Sequence, residues 1–143
     1  MTHLQALYGS QYQEIAQRAG DTAKSRLNGN LFLTSFISIL IFIIILILNI
    51  FSIDFYEIST GFLRSMFGNT SGKTIGKLIT IPLLAGIYFL INSTLGNKTN
   101  FEKYCKEFLE LPEEIRKTAN KKIIIPFLVL VGILFIISMI VFL

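Results

Sequence analysis

The chain of 143 residues is 52 % hydrophobic and 15 % charged, with a mean hydropathy of +0.64, which excludes a water-soluble globule and points to an all-α integral membrane protein. One His and one Cys exclude a multi-ligand His/Cys metal centre, an internal disulfide and a Cys-pair redox centre. The net charge of +4 gathers where the chain leaves its apolar segments and accompanies none of the DNA or RNA recognition motifs, so it speaks for anionic lipid and topology and against a nucleic-acid partner.

Residues 1–30 read as a polar cytoplasmic segment. Leu4, Leu7, Tyr8, Tyr12, Ile15 and Ala19 recur at helical spacing, Thr2 and Gln5 are placed as a capping box, and Gly20 stands as a stop. Asp21 is placed to cap a second short turn through Arg26, which Asn28 and Gly29 break before the chain enters lipid. The amphipathic helix suits either folding back on the chain's own cytoplasmic loop or docking another protein. It suits the membrane surface less, since Arg18 is its only clear cation.

Residues 31–53 carry no charge and are long enough, at about 1.5 Å per residue, to cross a hydrocarbon core of about 30 Å. The polar start and the length of this run fit an uncleaved anchor and no secretory signal peptide. Residues 54–73 follow as an external segment in which Phe55, Ile58, Phe62, Met66 and Phe67 recur with helical period, as in a helix lying among head groups that covers the gap between spans or forms a lid. Residues 74–95 form the second expected span. Lys77 lies one turn inside it and Pro82 interrupts it, so a full crossing competes with a hairpin that enters and leaves on one side.

Residues 96–122 are cytoplasmic and amphipathic: Phe101, Tyr104, Cys105, Phe108 and Leu109 lie along one stripe among Glu and Lys, with Thr99 or Asn100 as cap. The stripe must be buried, against the N-terminal helix or against a second protein, and Cys105 within it reads as an apolar filler. Pro112 starts a further helix with Glu113 and Glu114 in its first turn and Lys117 and Lys121 at i+4 and i+8. It is expected to run unbroken into the third span, residues 123–143, with a bend at Pro126. The N-terminal and 96–122 segments carry ten Lys/Arg against three (Arg64, Lys73, Lys77) on the other side, which places the N-terminus inside and the C-terminus outside. The richness in Ile, Asn and Lys suggests an AT-rich genome and a bacterial cytoplasmic membrane.

Gly68 and Gly72 have three residues between them where a phosphate loop needs four, and they precede an apolar helix with no strand before it, so they do not make a nucleotide site. With Gly76 and Thr80 they form instead a small-residue face at four-residue intervals, suited to packing the second span on the first or third, or to self-association. Ser35, Ser38 and Asn49 are expected to hydrogen-bond neighbouring helices. The spans contain no carboxylate or His, which opposes a proton-coupled carrier, and no nucleophile, base and orienting group can be assigned, so no enzyme, cofactor or small-molecule substrate is expected. The glycosylation patterns at Asn92 and Asn97 lie on the inner side and are discounted.

The expected function is that of a small membrane subunit whose partners are other membrane subunits or itself, docking through Phe101, Tyr104, Phe108 and Leu109 and through Leu4, Tyr8, Tyr12 and Ile15 onto a secretion, transport or respiratory assembly. Two alternatives stand beside it. One is a homo-oligomeric channel with Lys73 and Lys77 at an outer mouth; the other is an immunity or regulatory protein that blocks a toxin or enzyme.

Overall fold

A computed structural model of the chain describes residues 1–18, 20–51, 57, 61 and 72–142, and within these all regular elements are helical. They are α1 (His3–Gln17), α2 (Ala23–Ile50), α3 (Gly72–Ser93), α4 (Lys98–Leu109), α5 (Glu113–Lys117) and α6 (Ala119–Phe142). The external segment expected at 54–73, with its apolar period from Phe55 to Phe67, lies outside the described residues apart from Glu57, Gly61, Gly72 and Lys73.

The start of α1 follows the local rule. Gln5 N–H donates to Thr2 Oγ1 at 3.2 Å and Thr2 N–H donates to Gln5 Oε1 at 2.6 Å, so two of the donors that open a helix unpaired are satisfied reciprocally. Past its end, Gly20 N–H donates to the Ile15 carbonyl at 3.0 Å. Asp21 caps the next element, its Oδ1 accepting from Ala23 N–H at 3.0 Å.

That element is not the short turn expected through Arg26. Asn28 and Gly29 do not break it, and α2 runs continuously for 28 residues, entering its apolar stretch without interruption. The reason is tertiary: the Tyr8 ring occupies the space beside Gly29, where a Cβ would lie 2.4 Å from Tyr8 Cε1, and the next side chain, Asn30, is fully buried and hydrogen-bonded. Packing on one side and amide pairing on the other outweigh a helix-interior glycine penalty of about 1 kcal/mol.

Pro112 stands at the N-cap of α5, and Lys117 pairs with Glu113 at 2.9 Å across one helical turn. The run into α6 is not unbroken: Thr118 interrupts it, its N–H and hydroxyl both turning back to the Ile115 carbonyl at 3.1 and 2.7 Å. Farther on, Pro126 lies inside α6 and has no N–H to give the carbonyl of Lys122.

Three helical stretches, Ala23–Leu48, Gly76–Ser93 and Glu113–Ile140, are long and apolar enough to cross a membrane. They form an open row: α3 and α6 each pack on α2, and neither packs extensively on the other. The close-packed part of the molecule lies at one end of the row. There α1 lies against α4, α2 and α6, burying Ala6, Phe108 and Ala119 in one cluster and Tyr8, Phe101 and Cys105 in another. This helical cap, and not the apolar row, holds most of the core.

Candidate functional site

Three features of the described residues bear on function: a polar knot beneath the cap, the aromatic joint within it, and an apolar groove beside it.

The knot is centred on Asn30. Its Oδ1 accepts from the Tyr8 hydroxyl at 2.7 Å, and its Nδ2 donates to Asn92 Oδ1 at 3.1 Å and to the Gly96 carbonyl at 3.3 Å. One amide thereby ties α1, α2 and the end of α3 together, with its donors and acceptor engaged as burial requires. Gly96 makes the approach possible, since a Cβ there would fall 1.8 Å from Asn30 Oδ1 and 2.6 Å from the Tyr8 hydroxyl. Burial also raises the Tyr8 phenol above its ordinary range, with the neighbouring Tyr104 acting in the same direction.

The aromatic joint takes up most of the residues expected to dock a partner. Tyr8 meets Phe101 edge to face at 5.7 Å between ring centroids and stacks on Tyr104 at 5.9 Å, while Tyr12 lies edge-on to Phe101 at 6.3 Å. Phe108 is buried against Ala6 and fits where Gly9 has no side chain; a Cβ on Gly9 would lie 2.1 Å from Phe108 Cγ. Gln5 Nε2 donates to Glu107 Oε2 at 2.7 Å across the same α1–α4 seam. Of the two occupants the sequence allows for this stripe, the N-terminal helix is the one in place, so Tyr8, Phe101 and Phe108 are not available to a second protein in this fold. Leu4, Tyr12, Ile15 and Tyr104 are half-buried and Leu109 is exposed. Cys105 lies inside the joint, its thiol directed at the Tyr8 carbonyl at 3.7 Å and pushed up to about 12, first by burial and then by the Glu102 charge.

Of the residues expected to pack helices, Gly76, Thr80, Ser35 and Ser38 have described surroundings. Among the described residues, a Cβ on Gly76 would meet nothing within 4 Å, and Thr80 is exposed, so these two make no close α3 packing contact there. Instead α3 buries Ile87 and Ile91, next to Asn92, in its last turns. Ser35 and Ser38 do not reach neighbouring helices either; each hydroxyl donates one turn back along α2, to the carbonyls of Leu31 (3.0 Å) and Thr34 (2.6 Å). A short hydroxyl side chain in a helix finds its own i−4 carbonyl closer than any partner. Gly68, the surroundings of Gly72 and the side chain of Asn49 lie outside the described residues.

The groove has a volume of about 240 Å³ and three walls. Leu4 and Leu7 come from α1; Phe32, Leu33 and Phe36 from α2; Ile123 and Pro126 from α6. His3 is the single polar side chain among the lining residues.

No periodicity or motif in the sequence singles out Asn30, Gly9 or Gly96, and Asn92 stands out there only as part of a discounted glycosylation pattern. A lone amide opening a long apolar run was the available signal, because an amide buried there has to find partners. Among the described residues no group of three or more His, Cys, Asp or Glu could hold a metal ion. Comparison with family models, with curated proteins and with solved structures finds no match for this chain.

Proposed function

We propose that the chain is a non-enzymatic, multi-pass membrane subunit that joins a larger membrane assembly laterally, through the sides of its long apolar helices. The observation that carries this reading is the open row. Only 17 %, 11 % and 6 % of the three apolar windows are buried within the chain, and large side chains such as Phe42, Phe89, Leu128 and Phe135 stand exposed along them. Such faces are covered by lipid or by other helices, and a row of three leaves room for both. The cap, whose aromatic stripe is used internally, then serves as a rigid end piece on the side rich in Lys and Arg, which by the positive-inside rule is the cytoplasmic one.

Supporting the non-enzymatic part, the apolar segments carry no carboxylate or His, and their polar side chains Thr34, Ser35 and Ser38 bond back to their own helix. Native extraction with an affinity tag, followed by mass spectrometry and size determination, tests the reading. A stoichiometric set of other membrane proteins is expected. A pure homo-oligomer would put the channel reading first, with conductance in liposomes as the next measurement, and a stable monomer that brings nothing along would overturn both.

A further inference from the structure

We infer that the groove between α1, α2 and α6 seats an acyl chain of an anionic phospholipid, with the lipid phosphate held at Lys122. The inference rests on the membrane reading above and adds a ligand to it. Ile123 and Pro126 line one wall of the groove, and Lys122 precedes Pro126 by four residues, so it stands one turn above it on the same side of α6. The Lys122 ammonium donates to the carbonyl of Met1, which anchors it two residues from His3, the polar group of the lining. Three N–H donors belong to that ammonium, so two remain for a phosphate.

Away from His3 the lining is apolar, with Leu7, Phe36 and Pro126 among its residues and the Phe32 ring lying 5.2 Å from that of Phe127. A polar, positively charged rim over an apolar slot, at the point where both long helices begin their charge-free runs, matches a phospholipid in both charge and polarity. A water-soluble ligand would leave the slot's apolar walls uncovered, and a bare phosphate would leave the slot empty.

The chain has no Trp, so Phe36→Trp gives a single indole in the groove, excited selectively over the five Tyr, and Leu128→Trp gives one on α6 at a position that is 61 % accessible. Each is reconstituted in phosphatidylcholine vesicles containing either dibrominated phosphatidylglycerol or dibrominated phosphatidylcholine, and quenching is read against mole fraction. The groove indole is expected to respond to the glycerol lipid at about a fivefold lower mole fraction, the preference that one well-placed cation gives near an anionic head group. Lys122→Gln should remove the preference, and the Leu128→Trp indole should show none.

Equal quenching of the groove indole by both lipids, with or without Lys122, would overturn the inference, as would a groove indole that neither lipid reaches while the Leu128→Trp indole is quenched. The latter result would mean that a second copy or another protein covers the groove. If neither position is quenched, the membrane reading fails as well. Because Phe36→Trp can disturb packing, native mass spectrometry of the unsubstituted chain provides a second test: retained phosphatidylglycerol in excess of phosphatidylcholine, lost in Lys122→Gln, supports the site, and equal retention refutes it.

Discussion

The Tyr8 hydroxyl donates to Asn30 Oδ1 at 2.7 Å, and both side chains are fully buried, one on the N-terminal helix and the other near the base of a long apolar helix. The pair joins an amphipathic cap to the row of apolar helices, and its energetics follow from burial. Tyr8→Phe removes the donor and leaves the amide oxygen buried without it, a loss of about 1–3 kcal/mol. Asn30→Leu goes further, since it strands the Tyr8 hydroxyl, Asn92 Oδ1 and the Gly96 carbonyl at once. Thermal unfolding in detergent should rank the parent above Tyr8→Phe and Tyr8→Phe above Asn30→Leu. An unchanged Tm for Tyr8→Phe would mean that the hydroxyl contributes nothing to the joint.

Glycines in this chain divide by their surroundings, and alanine scanning should divide them the same way. Gly9→Ala and Gly96→Ala place a Cβ 2.1 Å from Phe108 Cγ and 1.8 Å from Asn30 Oδ1, positions that Phe108 and Asn30 cannot vacate without opening the cap. Both should lower Tm clearly. Gly86→Ala and Gly132→Ala meet nothing within 4 Å and lie inside helices, where alanine is favoured by up to about 1 kcal/mol, so their Tm should hold or rise. A loss at Gly86 or Gly132 would indicate a close contact with another chain.

These residues also mark where the sequence was legible. The capping box at Thr2 and Gln5, the aromatic stripe from Phe101 to Phe108 and the three long apolar stretches were readable because each is set by neighbours within a turn or two, or by bulk hydropathy. The continuity of α2 through Asn28 and Gly29 was not, because it depends on Tyr8, about twenty residues upstream, filling the space beside Gly29. Likewise the small-residue spacing at Gly76 and Thr80 gives a face but not what the face meets; among the described residues a Cβ on Gly76 would meet nothing within 4 Å, and Thr80 is exposed. Of the stripe from Phe101 to Leu109, Phe101, Cys105 and Phe108 are buried while Tyr104 is half-buried and Leu109 exposed, and what covers the buried part is a tertiary matter: α1 has Gly9 where Phe108 needs space, a complementarity that no periodicity reveals.

Phe108 is 1 % exposed, so Phe108→Ala empties a site that the cap closes over, at a cost of about 3–5 kcal/mol. Combined with Phe101→Ala, the change should loosen α1 from α4 and release no partner. Limited trypsin digestion in detergent checks this: cleavage at Lys103 and Lys106 of α4, slow in the parent, should become fast in the double variant while the long apolar helices stay detergent-associated. Cleavage as slow as in the parent, with a partner lost from native extracts, would instead restore the docking role of the stripe.

Cys105 and Tyr8 set the alkaline limit of the cap. The Cys105 thiol is pushed from its ordinary 9.0 up to about 12 by burial and by Glu102, and the Tyr8 phenol is raised as well, so both stay protonated in the fold at pH values where the unfolded chain ionises. The sign follows from proton counting: below about pH 9 native and unfolded chains both hold these protons and stability is flat. Above it the native chain binds more protons than the unfolded one, so stability falls as pH rises toward 12. Tm in detergent should therefore be level from pH 7 to 8.5 and decline through pH 9 to 11, with Cys105→Ala shifting the onset of the decline upward to where tyrosine ionises. The same burial makes the native thiol a poor nucleophile, so maleimide labelling of Cys105 at pH 8 should be slow in the folded protein and fast after denaturation. Rapid labelling of the native protein at pH 8 would show that the α1–α4 seam opens on the labelling timescale, and the cap could not then act as the rigid end piece proposed for it.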